Sequence, residues 1–318
     1  MAIIYNGSLD KEGYKAVFGH EMEEIAKSDP EVVYLDADLM SSWGTAGFWK
    51  RNPRQAYNIG VAEANMIGIA AGLSAAGKKP YVHTFGPFAS RRCYDQLFLS
   101  IAYAGNSARV FGTDPGVVAA YNGGTHMPFE ELALMRAIPT ATVIEISDGA
   151  MLKAMMWQTK DKEGLIYIRT GRKNYPTLYS ADHQFTIGKG EIVRTGTDAT
   201  VIACGIMVGE AMQAAESLRA QGINLQVIDM FTIKPIDKEL VLQAAKDTGV
   251  IVTAENHNVI GGLGDAVADV LVQSDIPCKM RKIGVNDRFG QVGTQDFLQK
   301  EYGLTAQNIE ETVLALKK

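Results

Sequence analysis

Through the first half of the chain, short apolar runs alternate with longer stretches in which apolar positions recur every three to four residues. The runs at 32–35, 81–82, 108–111, 142–144 and 165–168 are rich in β-branched and aromatic side chains and have no polar face, which predicts strands buried on both sides. Between them, Tyr14, Val17, Phe18, Met22 and Ile25 fall on one helical face. Met66, Ile67, Ala70, Ala71 and Leu73 fill a second, largely buried helix over 63–76. Strand–helix alternation of this kind predicts a mostly parallel sheet with helices on both faces.

From 171 to 190 the pattern gives way to Arg, Lys, Asn, Pro, Ser, Asp and His, which predicts a linker. A second α/β series follows, with strands at 200–204, 225–228, 250–252 and 279–283. Helices are expected over 210–221, 238–246 and 264–273, with a closing helix from Gln307. The expected organisation is two consecutive α/β domains, 1–175 and 190–318.

Composition narrows the function. Thirty-one Lys and Arg against 36 Asp and Glu give a net charge of −5, so no basic surplus exists for a nucleic-acid backbone. Cys93, Cys204 and Cys278 lie far apart and form no CxxC, which points to thiols in a reducing compartment. The opening Met-Ala-Ile-Ile-Tyr-Asn-Gly is unlike a signal peptide, and no run approaches the ~18 apolar residues of a membrane span. A cytoplasmic protein with neither nucleic-acid nor membrane partners is expected.

Glycine-rich turns follow several strands: Gly112-Thr113-Asp114-Pro115-Gly116, Asn122-Gly123-Gly124-Thr125-His126 and Gly261-Gly262-Leu263-Gly264. In an open α/β sheet such turns lie at the strand ends where ligands bind. The third resembles a dinucleotide turn but has Val267 at its third glycine position. His-Glu-x-x-His, the P-loop and Gly-x-Ser-x-Gly are absent, and His20, His83, His126, His183 and His257 have no metal-ligand spacing, so no metal site is expected on this chain. Glu63, in Asn58-Ile59-Gly60-Val61-Ala62-Glu63, stands between a strand and an apolar helix. Two readings are open: an acid favoured by the positive helix N-terminus, or a carboxyl in an apolar pocket kept for proton work. Phe85 and Phe88, in Thr84-Phe85-Gly86-Pro87-Phe88, belong either to the core or to a slot for a flat ring.

Together these segments resemble the C-terminal half of a transketolase, encoded as a separate chain. Asp36-Ala37-Asp38-Leu39-Met40-Ser41-Ser42, residues 58–73, the run 84–96, Asn122–His126, Phe231-Thr232-Ile233-Lys234-Pro235-Ile236-Asp237 and Glu255-Asn256-His257 match that family's segments in order. The resemblance implies a thiamine-diphosphate-binding fold followed by a transketolase C-terminal-like domain, and thiamine diphosphate as cofactor. It casts Glu63 as the acid that hydrogen-bonds the aminopyrimidine ring and His126 as a catalytic histidine near the reacting sugar carbon. Phe85, Phe88, Asp38 and Leu39 become cofactor contacts, with either Arg91 or Arg92 beside them. Lys15, Ser42, Asp114, Asn122 and Arg169 join His126 as substrate contacts, although the family pattern has Arg, His and Asp at positions 15, 114 and 122.

The family's Gly-Asp-Gly motif, which holds the cofactor diphosphate and its Mg²⁺ or Ca²⁺, does not occur in this sequence. The resemblance therefore implies a separate N-terminal subunit that supplies the diphosphate-binding domain and most of the metal site, in a two-fold heterotetramer acting on sugars. The expected activity is transfer of a two-carbon ketol unit from a ketose to an aldose. The beta subunit of a 2-oxo-acid dehydrogenase and a non-catalytic regulatory subunit of the same fold are the alternatives.

Overall fold

The computed structural model describes residues 3–317. Its strands are β1 (Val32–Asp36), β2 (Ala56–Asn58), β3 (Lys79–Phe85), β4 (Ala108–Thr113), β5 (Thr142–Glu145), β6 (Leu165–Thr170), β7 (Glu191–Arg194), β8 (Ala199–Ala203), β9 (Leu225–Asp229), β10 (Thr232–Lys234), β11 (Val250–Asn258) and β12 (Lys279–Val285). They form a seven-stranded sheet, β10-β5-β6-β4-β3-β1-β2, and a five-stranded sheet, β12-β11-β8-β9-β7. Pairing is parallel except at the two edges, where β10 runs against β5 and β7 against β9. These are two α/β domains with mostly parallel sheets, as the apolar runs predict. The central strands β1, β4, β6 and β8 are buried at every position, which requires cover on both faces.

Two features depart from the sequence reading. β10 lies in the second half of the chain yet closes the first sheet, its Thr232 in register with Ile144. Three residues are too few to carry a periodicity, so this crossover has no sequence signature. The expected linker is a packed strap: Tyr175, Leu178, Tyr179 and Phe185 are buried, and Pro176 and Tyr179 bridge to Leu9 and Ile3. Asp148 anchors it by accepting the backbone N–H groups of Leu178 and Tyr179 at 3.1 and 2.9 Å, and Tyr179 donates its hydroxyl to Asp229 across the domains.

The halves also lock through buried polar groups. Asn256 accepts from the Val117 N–H and donates to the Pro115 carbonyl. Gly116 is required there: its φ of +50° suits glycine, and a Cβ would meet Asn256 Oδ1 at 2.2 Å.

Parallel pairing brings the carboxyl ends of several strands together. Asp36 is in register with Asn58 and His83, Phe85 with Thr113, and Thr113 with Thr170. The turns that follow β1, β2, β3 and β4 therefore share one edge of the sheet, the place where such folds bind ligands.

Candidate active site

Glu63 opens the helix Glu63–Ala75 and is 3% exposed. Apolar residues on the buried face of that helix sink its first turn into the sheet edge, while the helix N-terminus favours the negative charge. Arg92 Nη1 donates to both Glu63 oxygens at 3.0 Å each. The same guanidinium lies over the Phe88 ring, with Cζ 3.7 Å from its centroid. Phe85, Phe88 and His126 form a triangle of edge-to-face rings, with centroids 5.1–6.3 Å apart. Thr125 Oγ1 fixes the His126 ring through Nδ1 at 2.9 Å. Burial, reinforced by Arg92 and Arg91, holds His126 below the usual imidazole range, so the ring is neutral at neutral pH.

The floor beside this cluster is a network that sequence reading missed. Asp36 Oδ2 accepts from the Tyr34 hydroxyl at 2.6 Å and pairs with His83 Nδ1 at 2.7 Å. His83 stacks on Trp43 and reaches Thr113 Oγ1 through its other nitrogen at 3.2 Å. Asp36 Oδ1 also accepts the Leu39 N–H, which fixes the turn that carries Asp38 and Leu39. Asp38 stands exposed at φ +66°, held by Asn58 Nδ2 at 2.8 Å. The alternation of β1 and β3 is the signal for this network, since it brings Asp36 and His83 to one rung.

Several expected contacts lie elsewhere. Arg169 is fully buried and cannot grip a sugar phosphate: it donates to Glu131 at 2.7 Å, Glu145 at 2.6 Å and the Asn256 carbonyl at 2.5 Å. Asp114 is also buried, its carboxylate closed by Arg172 Nε at 2.5 Å and the Arg172 N–H at 3.1 Å, so it presents no free charge to a substrate. Burial still raises its pKa against the pull of Arg172. Arg172, which sequence reading passed over, lies over Phe85 at 5.1 Å. The arginine on Glu63 is Arg92; Arg91 turns instead to Glu130 and the Thr125 carbonyl. Lys15 is exposed and lines a hollow with His20, Glu23 and Arg51 that shares no residue with the aromatic cluster. Ser42 is half-buried and caps locally, donating to the Leu39 carbonyl at 2.9 Å. Asn122 is exposed on the turn that precedes His126.

The Gly261–Gly264 turn has no room for a dinucleotide phosphate. Glu255 already occupies that helix start, accepting the N–H groups of Leu263 at 2.7 Å and Gly264 at 2.8 Å, and a Cβ on Gly262 would meet its Oε2 at 1.8 Å. Among the described residues, no three His, Cys, Asp or Glu side chains gather as a metal site. No helix there is long and apolar enough to cross a membrane.

A buried carboxylate beside an aromatic slot, at the carboxyl edge of a parallel sheet, is joined by a decisive match over most of the chain. The transketolase pyrimidine binding domain model matches residues 11–177, and the transketolase C-terminal domain model matches 188–309. The chain belongs to the transketolase family. It is a transketolase-type transferase subunit, and the transketolase family is thiamine-diphosphate dependent. The 6-deoxy-6-sulfo-D-fructose transketolase subunit of Clostridium sp. (strain MSTE9) is 48% identical over 286 residues, covering 90% of this chain and 88% of its own. One of the subunits of the apulose-4-phosphate transketolase of Phocaeicola vulgatus is 33% identical, covering 95% and 96%. A solved split gene transketolase, an inactive beta4 tetramer, has TM-score 0.89 and 40% identity, and the match covers 96% of this chain and 99% of that one.

The residues of this transketolase subunit fit the pyrimidine of the cofactor. A flat group, the Arg92 guanidinium, is already bonded to Glu63 and laid on the Phe88 face, so the slot takes a flat group against that ring and offers it the Glu63 carboxyl.

Proposed function

We propose that this chain is the C-terminal subunit of a two-chain transketolase that moves a two-carbon ketol unit from a ketose with an anionic terminus to an aldose. The observation that carries this reading is the Glu63 carboxyl group, 3% exposed, against an aromatic slot. The partner is a separate chain bearing a Gly-Asp-Gly segment, which binds the diphosphate and Mg²⁺, and the complex is a two-fold heterotetramer.

Glu63 holds a proton at Oε against a ring nitrogen of the pyrimidine. Phe85 and Phe88 wall the ring and exclude water, and Asp38 and Leu39 border it from the end of β1. The bound cofactor supplies the electron sink for carbon–carbon cleavage. Neutral His126 hydrogen-bonds a substrate oxygen near the reacting carbon, with Asn122 beside it on the same turn. Arg172, oriented by Asp114 and lying over Phe85, is the cation that meets the sugar's anionic end. A sulfonated or phosphorylated ketose is the donor class, in line with the names of the relatives above.

The test is to copurify the chain with a Gly-Asp-Gly partner and assay sulfonated, phosphorylated and neutral ketoses against several aldoses. Ketol transfer with an anionic donor is expected. Oxidative or simple decarboxylation of a 2-oxo acid, without ketol transfer, would instead assign a dehydrogenase beta subunit. Complex formation and cofactor binding with neither activity would assign a regulatory role.

A further inference from the structure

We infer that Arg92 is a latch on the pyrimidine slot, which must leave Glu63 and Phe88 before the cofactor ring can enter. The inference rests on the proposed function, since it takes Glu63 and Phe88 to face that ring. Geometry carries it. One guanidinium satisfies both Glu63 oxygens at 3.0 Å and covers the Phe88 ring at 3.7 Å. A ring that bonds Glu63 and stacks on Phe88 needs the same carboxyl group and the same ring face, so the two arrangements exclude each other.

The side chain is built to move. Arg92 is 45% exposed, against 3% for Glu63, so it reaches inward from solvent on its own flexible stem. It sits in the short 3₁₀ turn Arg91–Cys93, whose neighbour Arg91 is tied off by Glu130 and the Thr125 carbonyl. Swinging Arg92 out breaks contacts only at its tip, and water solvates the released cation. The closed form covers Glu63, which would otherwise face an apolar wall unpaired. Holding a binding-competent form at a fraction of the population weakens apparent affinity by that same fraction. A half-exposed ion pair with one cation–π contact is worth about a three- to tenfold shift.

Calorimetric titration of thiamine diphosphate with Mg²⁺ into the copurified two-chain complex tests this, comparing wild type with Arg92→Ala and Arg92→Lys. The expected result is about three- to tenfold tighter binding by Arg92→Ala, with Arg92→Lys in between because lysine keeps the charge without the flat fork. Circular dichroism checks that both variants fold. Unchanged or weaker binding by a folded Arg92→Ala complex overturns the latch and makes Arg92 a bystander or a cofactor ligand. Failure of the wild-type complex to bind the cofactor at all overturns the proposed function, and the latch with it.

Discussion

Arg169 and Glu145 meet at 2.6 Å with both side chains cut off from solvent, and Glu131 holds the second side of the same guanidinium at 2.7 Å. A buried cation flanked by two carboxylates, and bonded to Asn256 of the other domain, is a structural pin. Breaking such a group by removing one partner leaves an uncompensated charge and costs about 3–5 kcal/mol. Arg169→Ala is therefore expected to lower the stability of the chain by that amount in urea denaturation. A variant that folds normally and instead raises KM for an anionic sugar would return Arg169 to the substrate site.

Glu63→Gln keeps the shape and one acceptor oxygen for Arg92 but removes the acidic proton. Loss of an acid–base group of this kind lowers turnover by about 10²–10⁴-fold. The expected outcome in the reconstituted complex is that loss in kcat, with unchanged melting temperature. Near-normal turnover would take Glu63 out of the chemistry.

Much of this site is legible in the sequence, and the failures have one physical cause. Glu63, Phe85, Phe88 and His126 converge because each lies at or just after the carboxyl end of a parallel strand, and strand order puts those ends on one edge. Motif position therefore finds them. What a side chain faces is not written in its position. Arg91 and Arg92 are neighbours in one turn, and the backbone direction alone decides which reaches Glu63. Arg169 lies one residue from the end of β6 and looks like a ligand there, yet a carboxylate pair from β5 and the helix Glu131–Ala137 claims it. Those partners are 24 and 38 residues distant in sequence, beyond the reach of local pattern. The three-residue β10 and the packed strap are missed for the same reason: tertiary pairing, not periodicity, makes them.

Glu255 gives a pH signature. Burial raises its carboxyl to about 7 in the folded chain, above the ordinary 4.5, while the Gly264 and Leu263 N–H groups pull it down. The folded state then binds this proton more tightly than the unfolded state, so the contribution is full below the unfolded value and is lost as pH rises to about 7. His257, lowered to about 3 by burial first and Arg169 second, contributes with the opposite slope up to its unfolded pKa. Comparing Glu255→Gln with wild type cancels that background. The stability difference is expected to move in favour of the variant as pH rises from 5 to about 7.5, by up to about 1.4 kcal/mol per pH unit. Parallel stability curves for the two proteins would remove Glu255 as the source.

Substrate choice turns on Arg172 and Asp114. The Asp114 carboxylate is spent on the Arg172 side chain at 2.5 Å and backbone at 3.1 Å, which steers the guanidinium over Phe85 at the slot. Asp114 tolerates its φ of +54° as few residues do, so it sets both the turn and the direction of the cation. A directed guanidinium reads a phosphate or sulfonate through paired hydrogen bonds, which a lysine ammonium cannot reproduce. Arg172→Met is expected to raise KM for an anionic ketose donor by about 10–100-fold, the loss of one charged hydrogen-bonding partner, and to leave a neutral ketose of the same length nearly unaffected. Arg172→Lys should recover part of that loss. Asp114→Ala, which frees the cation without deleting it, should raise KM for the anionic donor by a smaller factor and change kcat little. Steady-state kinetics of the reconstituted complex on the paired donors decide the matter: equal losses on anionic and neutral ketoses would make Arg172 a support for Phe85 and leave the sugar's charge to residues of the partner chain.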